Sequence, residues 1–357
     1  MTRARIDKHL YEKHAALQLS PIYSDFIERI LPLNTYDVVT LGETMLRFTP
    51  PGFRRMSQAT NLEMHVGGSE SNTSVGLSRL GLRVCWLSRL TDNVLGHYIA
   101  EAVAQQGVDT SKVVWTNEDR VGTYFMEEGR PPRNSRILYD RKNSAMSKMK
   151  PEHLPADLFQ PGKARLLHMT GITPAIGEDA AQTVLHALRL AKQAGWLVSF
   201  DVNYRANLWS PAQCRSALEE ILPQVDILFS PLGDATRIFN TPADADDALK
   251  HFHTAYPQAL IAMTIGKDGA AACDRDGNLY QHPVFPAEQV DRLGGGDAFS
   301  AGFLYGYLST SKIETALRWG SAVAALKYTI PGDFPLIDYD DALKLVEGSG
   351  DSSTISR

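Results

Sequence analysis

The sequence predicts an α/β protein in which a doubly wound, mostly parallel sheet carries helices on both faces. Short apolar runs alternate with amphipathic segments of helical length, and turn-forming residues separate them. Strands that are apolar along their whole length are typical of parallel sheets covered on both faces. The predicted strands are Asp37 to Leu41, Val84 to Leu87, Leu166 to Met169, Trp196 to Val202, Asp226 to Phe229 and Leu260 to Ile265. The predicted helices are Val94 to Gln106, about Ala180 to Ala194 and about Ala212 to Leu222, with two more starting near Asp297 and Glu314.

The composition fits a globular protein and directs attention to local clusters of charge. The chain has 357 residues, of which 43% are hydrophobic and 22% charged, which is ample for a buried core. A net charge of −5 gives no overall attraction for nucleic acid or an anionic membrane, and no DNA-binding motif occurs. We therefore expect neither as a partner. Any anionic ligand must be held by a local cluster of basic groups.

The cysteines and the first residues of the chain indicate a cytoplasmic protein. Cys85, Cys214 and Cys273 lie far apart and form no CxxC pair, which argues against a disulfide framework or a structural zinc site. The first residues carry closely spaced charges and no apolar core of signal-peptide length. No later run approaches the length that spans a membrane.

The pattern divides the chain into an extension, a core and a tail. Residues 1–35 are predicted to form a partly helical N-terminal extension, with a helix from Ser24 to Leu31 that serves as an oligomer contact or packs on the surface. Residues 36–345 carry the alternating strands and helices. Residues 346–357 are predicted to be a flexible, polar tail.

Two stretches of the core, at about 44–66 and 120–142, depart from the alternation of strands and helices. Gly122 to Met126 (GTYFM) and Arg136 to Tyr139 (RILY) alternate in the manner of antiparallel strands. We expect these stretches to form a small sheet that lies over the site as a lid. A lid of this kind excludes water from a reaction.

The most informative segment is Val290 to Gly306 (VDRLGGGDAFSAGFLYG). Three consecutive glycines precede Asp297 and an apolar helix rich in small residues, so backbone N–H groups converge at a helix N-terminus. Such a turn binds anions, and its dipole favours the ionised form of Asp297, as an acceptor of a hydroxyl proton requires. The alternative is a tight turn in which Asp297 only caps the helix. Neither a Walker A sequence nor a GxGxxG dinucleotide turn occurs.

Two segments together resemble one family. Asp291 to Phe299 resembles the DTxGAGDxF signature of ribokinase-like (PfkB) carbohydrate kinases, with arginine at the threonine position and glycine at the alanine position. His65 to Gly81 (HVGGSESNTSVGLSRLG) resembles the GGxxxN…ARLG segment of the same family, in the expected order. The resemblance covers residues 36–345. It implies a ribokinase-like fold with a β-sheet lid and ATP-dependent phosphorylation of a carbohydrate.

The resemblance also implies roles for the glycine segments. Asp297 is expected to take the proton of the sugar hydroxyl. Gly294, Gly295 and Gly296 are expected to stabilise charge on the transferred phosphoryl group. Together with Asp297 they form the predicted catalytic set. The residues expected to contact the sugar are Gly67, Gly68 and Asn72, of which Asn72 is also expected to open the next helix.

A third turn is expected to border the nucleotide. Thr264, Gly266 and Gly269 are similar to the family's TxGxxG turn, although a strand followed by GKDG is also a common β-turn. With Gly294 and Gly296 they form the predicted ATP-binding set. By analogy with the family, the helix 321–328 is expected on the adenine side.

Four further matches point to the 2-keto-3-deoxygluconate kinase subfamily. Asp201 to Trp209 (DVNYRANLW) resembles its DxNxRxxLW segment, and Tyr139 to Arg141 resembles its YxR lid motif. Tyr124 occupies the position of a lid tyrosine that contacts substrate, and Ile330 to Asp333 (IPGD) matches its late PGD. The resemblance therefore implies a sugar acid as substrate.

A carboxylate in a partly dry site needs cationic partners, and arginine offers paired donors in one plane. Arg141 and Arg205 are our candidates for binding the acid end. Tyr124, Tyr139 and Asp333 complete the predicted substrate set, with Asp333 on a hydroxyl. Each has a structural alternative: Arg205 as a partner of Asp201, the tyrosines as lid core, and Asp333 as the residue that closes a turn.

One segment departs from the family pattern. The family carries NxxE where this chain reads Ser230 to Asp234 (SPLGD), so proline replaces the asparagine and Asp234 replaces the glutamate. The glutamate organises magnesium-bound water and phosphate, and Asp234 is our candidate for this role through water. The expected cofactors are ATP and Mg²⁺, and a requirement for a monovalent cation is left open.

The expected reaction is transfer of the ATP γ-phosphoryl group to O6 of 2-keto-3-deoxygluconate. The alternatives are a kinase for another sugar or sugar acid, such as fructose or 5-keto-2-deoxygluconate, and a catalytically impaired kinase fold that senses a sugar acid. We also expect a homo-oligomer, paired through the lid strands or the N-terminal helix.

Overall fold

The computed structural model describes residues 35–348, and its centre is an eight-stranded sheet. In spatial order the strands are Leu279–His282 (β14), Ala270–Cys273 (β13), Leu260–Thr264 (β12), Ile227–Phe229 (β11), Leu197–Asp201 (β10), Leu166–Thr170 (β9), Val38–Leu41 (β1) and Val84–Leu87 (β4). The strands from β12 to β4 are parallel, while β13 and β14 add an antiparallel edge. The mostly parallel sheet that we predict is confirmed.

The parallel strands are apolar on both faces because helices cover both. Every residue of β1 and of β9 is buried. Alternate residues of β1 enter different cores, since Val39 and Leu41 belong to one apolar cluster and Val38 to the other. The predicted strand Val84 to Leu87 has the observed bounds, whereas Trp196 to Val202 is shortened by one residue at each end.

The helices pack in two layers. Their bounds are Ser69–Arg79 (α1), Val94–Ala104 (α2), Ile172–Ala175 (α3), Glu178–Gln193 (α4), Pro211–Leu218 (α5), Leu232–Phe239 (α6), Ala245–Ala255 (α7), Gly295–Thr310 (α8), Ile313–Tyr328 (α9) and Tyr339–Glu347 (α10). Residues of α4 to α7 join the cluster of Val39, and residues of α1, α2, α8 and α9 join that of Val38. Helix α5 ends four residues before its predicted end because Pro223 has no N–H to donate and its ring opposes helix at the preceding residues.

A second, four-stranded sheet occupies the two segments predicted as a lid. In spatial order it contains Glu63–Gly67 (β3), Met45–Thr49 (β2), Thr123–Glu127 (β7) and Arg136–Asp140 (β8). The outer pairs are antiparallel as expected, but β2 and β7 are parallel. The chain leaves the lid after β3 and returns through the body of the protein, so no hairpin joins β2 to β7. A separate pair, Arg89–Thr91 (β5) and Val114–Thr116 (β6), completes the strands of the described chain.

The predicted extension and tail fall largely outside the described residues. The helix expected from Ser24 to Leu31 lies outside them. At the other end, α10 continues to Glu347, two residues beyond the predicted boundary at 345. Cys85, Cys214 and Cys273 are buried and free. Between residues 35 and 348, no helix is long and apolar enough to cross a membrane.

The close packing of α8 on α9 generates a stability prediction. A Cβ on Gly302 of α8 would overlap the carbonyl oxygen of Trp319 on α9. We therefore expect Gly302→Ala to lower the free energy of unfolding by about 1 to 3 kcal/mol through overpacking. Gly233 of α6 has open space around the same position, so Gly233→Ala is expected to stabilise by up to about 1 kcal/mol. Urea denaturation of both variants measures this, and equal effects would contradict the packing argument.

Candidate active site

The two glycine segments identified in the sequence meet at the side chain of Asp297. Gly294 is the N-cap of α8, with φ of 75°, a conformation that favours glycine, and Asp297 lies in the first turn. One carboxylate oxygen of Asp297 accepts a hydrogen bond from Ser69 Oγ at 2.6 Å, and the other accepts one from Asn72 Nδ2 at 2.7 Å. Both donors lie in the first turn of α1. The alternative in which Asp297 only caps its own helix is therefore wrong.

The surroundings of Asp297 act on its pKa in opposite directions. Burial raises the pKa of this carboxyl above its usual value, while the hydrogen bonds from Ser69 and Asn72 and the charge of Arg205 oppose that rise. The sequence indicates only the helix start, which favours the ionised form, and not the effect of burial. A pKa moved toward neutrality suits a group that takes a proton during a reaction.

Helix α1 is anchored by a loop that follows β10. It begins at Ser69 after the extended N-cap Gly68, so the expectation that Asn72 opens it is wrong by three residues. Asn72 Oδ1 instead accepts the N–H of Gly68 at 3.3 Å. Asn203 Nδ2 donates to Ser69 Oγ at 2.7 Å. Ser69 therefore links the loop after β10 to Asp297.

The glycines of the site allow close backbone approach. A Cβ on Gly68 would overlap the carbonyl oxygen of Glu43, and one on Gly294 would overlap that of Asp333. A Cβ on Gly295 would lie 2.5 Å from a ring carbon of Tyr328. The same atom on Gly296 would meet nothing within 4 Å. The turn is thus packed into the protein on one side and open at Gly296.

A cavity lies next to Asp297. It gathers every residue of the predicted substrate set. Its lining consists of Glu43, Met45, Gly67, Gly68, Ser69, Asn72, Tyr124, Tyr139, Arg141, Ile172, Arg205, Leu293, Gly294, Asp297 and Asp333.

The two arginines predicted to bind a carboxylate differ in their partners. Arg141 is buried and donates from Nε to Glu43 Oε2 at 2.8 Å, and its Nη2 donates to the same oxygen. Arg205 is exposed and donates from Nη1 to the carbonyl oxygen of Tyr204 at 3.1 Å. Within residues 35–348 Arg205 forms no direct ion pair, although its positive charge acts to lower the pKa of Asp201, so the alternative of Arg205 as a structural partner of Asp201 stays open.

Asp333 belongs to a buried network that connects the lid to the body. Its Oδ1 accepts the hydroxyl of Tyr124, and its Oδ2 accepts from Arg47 Nη1 at 2.9 Å. The same Nη1 donates to Asp291 Oδ2 at 2.9 Å, and Nη2 donates to Glu128 Oε1 at 3.0 Å. Sequence reasoning missed Arg47. The signal was present, since an arginine interrupts the apolar strand MLRFT.

A second cavity lies on the open side of the glycine turn. It is lined by the turn predicted to border the nucleotide, by two glycines of the glycine turn and by residues of α9. Its lining consists of Thr264, Gly266, Gly269, Ala270, Val284, Phe285, Gly295, Gly296, Phe299, Ser321, Ala324, Ala325 and Tyr328. The first cavity contains Gly294 and this one contains Gly295 and Gly296, so the turn lies between the two.

Two further carboxylates lie near Asp297. The pKa of Asp201 is raised to about 8, first by burial and then by the charges of Asp297 and Asp234. Burial also raises the pKa of Asp234, and one of its carboxylate oxygens accepts the N–H of Tyr204 at 3.2 Å. No cluster of three or more potential protein ligands for a metal occurs in the described part of the chain. Asp201 is a second site residue to which the sequence assigned no role.

The sequence is similar to those of known carbohydrate kinases. A sequence profile described as pfkB family carbohydrate kinase matches residues 36–334. A 2-dehydro-3-deoxygalactonokinase of Haloferax volcanii is 37% identical over 314 residues, which are 88% of this chain and 98% of the relative. A 5-dehydro-2-deoxygluconokinase of Clostridium perfringens is 28% identical over 334 residues, covering 88% of this chain and 94% of the relative.

A solved structure agrees with the sequence matches. The crystal structure of 2-dehydro-3-deoxygluconokinase from Thermotoga maritima is similar with a TM-score of 0.81 and 28% identity, over 88% of this chain and 99% of that one. The family profile spans both glycine segments and the lid. The chain therefore belongs to the pfkB family of carbohydrate kinases and has a ribokinase-like fold.

Proposed function

We propose that this protein transfers the γ-phosphoryl group of ATP to the terminal hydroxyl of a sugar acid, 2-keto-3-deoxygluconate, and releases the 6-phosphate. The observation that carries the proposal is the position of Asp297 at a glycine turn lying between two cavities. One cavity contains the arginines suited to an acid, and the other contains the turn suited to a nucleotide. The relative that is 37% identical favours the galactonate epimer as a second candidate substrate.

Asp297 acts as the general base in this proposal. Its carboxylate removes the proton of the attacking hydroxyl, while the hydrogen bonds from Ser69 and Asn72 fix its orientation. The N–H groups at the start of α8 point toward the migrating phosphoryl group and offset its negative charge. The lid sheet excludes water, which would otherwise compete for the phosphoryl group.

The acid end of the substrate binds through arginine. Arg205 lines the cavity and forms no direct ion pair in the described chain, so its guanidinium is free to pair with a substrate carboxylate. Its charge also acts on nearby carboxyl groups, those of Asp201, Asp234 and Asp297. Arg141 also lines the cavity, but Glu43 offsets its charge, and it contributes direction more than net attraction. Tyr124 and Tyr139 form the lid side of the pocket, with ring centroids 5.6 Å apart.

The residues present fit ATP and Mg²⁺. The open face at Gly296 gives phosphates access to the turn, and Thr264, Gly266 and Gly269 border the same cavity. Burial is the largest cause of the raised pKa values of Asp201 and Asp234, and a divalent cation beside these carboxyl groups would favour their ionised forms. Mg²⁺ supplies neutralisation of phosphate charge and is typically bound by one or two carboxylates together with water and phosphate oxygens. Asp234 would hold it through water.

An ATP-coupled assay across a substrate panel tests the proposal. With magnesium titrated, we expect turnover of 2-keto-3-deoxygluconate to exceed that of 5-keto-2-deoxygluconate and fructose, with the galactonate epimer as the nearest competitor. Arg205→Ala is expected to abolish most of the preference for acids over fructose because it removes the unpaired cation.

The matched control for Arg205→Ala is Arg215→Ala, an exposed arginine on α5 that lines neither cavity. It should leave the preference unchanged. Stabilisation of the protein by a sugar acid without any turnover would instead favour the alternative of a sensor with a kinase fold. Turnover of fructose above every acid would contradict the substrate class.

Replacement of the proposed base is expected to reduce chemistry more than binding. Asp297→Asn should lower kcat by about 10²- to 10⁴-fold, the usual contribution of a general base, with little change in KM. Asp276→Asn, at an exposed turn, is the control. Steady-state kinetics measures both, and near-normal turnover of Asp297→Asn would remove Asp297 from the mechanism.

The pH dependence of kcat should report the surroundings of Asp297. A base is active when ionised, so kcat rises with pH through its pKa. Ser69→Ala removes a hydrogen bond that stabilises the ionised form, which raises that pKa and moves the acid limb to higher pH. We expect a displacement of up to about one pH unit, since one unit corresponds to about 1.4 kcal/mol. Ser78→Ala, at the other end of α1, should leave the limb in place; an unmoved limb in Ser69→Ala would contradict the assignment.

A further inference from the structure

Lys327, in the last turn of α9, is a buried charged residue that the proposed mechanism does not use. Its side chain is 0% exposed, and its ammonium donates to the carbonyl oxygen of Ile330 at 3.0 Å. Its Cε lies 3.4 Å from the point where a Cβ on Gly294 would be. The side chain of Lys327 is therefore packed against the glycine turn, and it lines neither cavity.

The carboxylates around this ammonium are engaged elsewhere. Asp291 and Asp333 both accept hydrogen bonds from Arg47. Within residues 35–348, Lys327 has no carboxylate oxygen within 4.0 Å of its ammonium. Burial lowers its pKa, and so does the charge of Arg47, while the charges of Asp291, Asp333 and Asp297 oppose that lowering. Lys327 thus carries a buried positive charge that no direct ion pair in the described chain neutralises.

This placement is unfavourable for a protein without ligand. An ammonium removed from water loses solvation energy that one carbonyl group does not replace. A cation beside the N-terminus of α8 is also repelled by the positive end of the helix dipole. Both penalties decrease when an anion binds on the other side of the turn. The position is therefore suited to the phosphate-bound state.

We propose that Lys327 is a built-in monovalent cation of the phosphate-binding turn. It lines neither cavity, so it is a positioning residue: its charge raises the positive potential at Gly294 to Gly296, and its hydrogen bond to Ile330 holds the segment that carries Asp333. The inference rests on the proposed function, since the anion is the migrating phosphoryl group. It also answers the open question of a monovalent cation, because the fixed ammonium makes a soluble one unnecessary.

A purely structural lysine would have different consequences. A neutral donor of similar length would hold the Ile330 carbonyl as well, so Lys327→Gln should then be fully active. If the charge matters, Lys327→Gln and Lys327→Met should both lose kcat. Lys327→Ala leaves a cavity lined by a carbonyl oxygen and near two carboxylates, which a potassium or ammonium ion can enter from solution.

The experiment measures kcat and KM for the full chain with Mg²⁺ and ATP, in tetramethylammonium buffer with potassium or ammonium chloride added. Wild-type kcat is expected to be independent of both salts. Lys327→Ala is expected to lose about tenfold or more in kcat, equivalent to about 1.4 kcal/mol, and to recover on addition of potassium or ammonium. Lys312→Ala, an exposed lysine at the start of the same helix, is the control.

Wild-type activation by potassium, or normal kcat in Lys327→Gln, would overturn the inference. Calorimetric titration with a non-hydrolysable ATP analogue gives a second readout that needs no sugar acid. The analogue should bind Lys327→Met more weakly than wild type, and wild-type affinity should not change with potassium. If Lys327→Ala fails to fold, the inference is tested by the effect of potassium on wild-type kcat and by the kcat of Lys327→Gln. Weakened nucleotide binding without turnover of any acid would refute the proposed function and leave the role of Lys327 standing.

Discussion

The hydrogen bonds between the Asp297 carboxylate and the first turn of α1 are the contacts on which the site depends. They join two helices that begin more than two hundred residues apart in sequence. A Cβ on Gly76 of α1 would lie 2.7 Å from the Cβ of Ala301 on α8, so this glycine lets the two helices approach closely. The bridge that the carboxylate forms between them buries Asp297. The contact with α1 therefore determines both the position of the Asp297 carboxylate and its burial, which raises its pKa.

A second buried network determines how the lid relates to that bridge. Arg47 on β2 binds Asp291, which precedes the glycine turn, and Asp333, which follows α9. Asp333 also accepts the hydroxyl of Tyr124 on β7. Because each of these carboxylates is held by a lid side chain, the inner strands of the lid are coupled to the body that carries the turn. A change at Asp333 would alter the lid as well as any contact to a ligand.

Local patterns predicted the strands and the glycine turns because each depends on neighbouring residues. The strand Val84 to Leu87 is apolar throughout, and the turn before Asp297 needs only glycines followed by a helix. The parallel pairing of β2 with β7, the partners of Arg47 and the pKa of Asp297 could not be predicted, because each depends on segments far apart in the chain. The residues that the family resemblance predicted to contact the substrate line one cavity, but the resemblance did not indicate which arginine would already be paired.

The arginine and lysine side chains near the site differ in whether a carboxylate of the protein already pairs with them. In the described chain Arg47 and Arg141 form ion pairs with carboxylates, and Lys327 packs against the glycine turn. Arg205 lines the first cavity, next to Asp297, and forms no direct ion pair among the described residues. A paired arginine offers direction but little net attraction, while an unpaired one offers both. In the proposed function, recognition of an acid would therefore depend mainly on Arg205, and recognition of the sugar hydroxyls on the lid and Asp333.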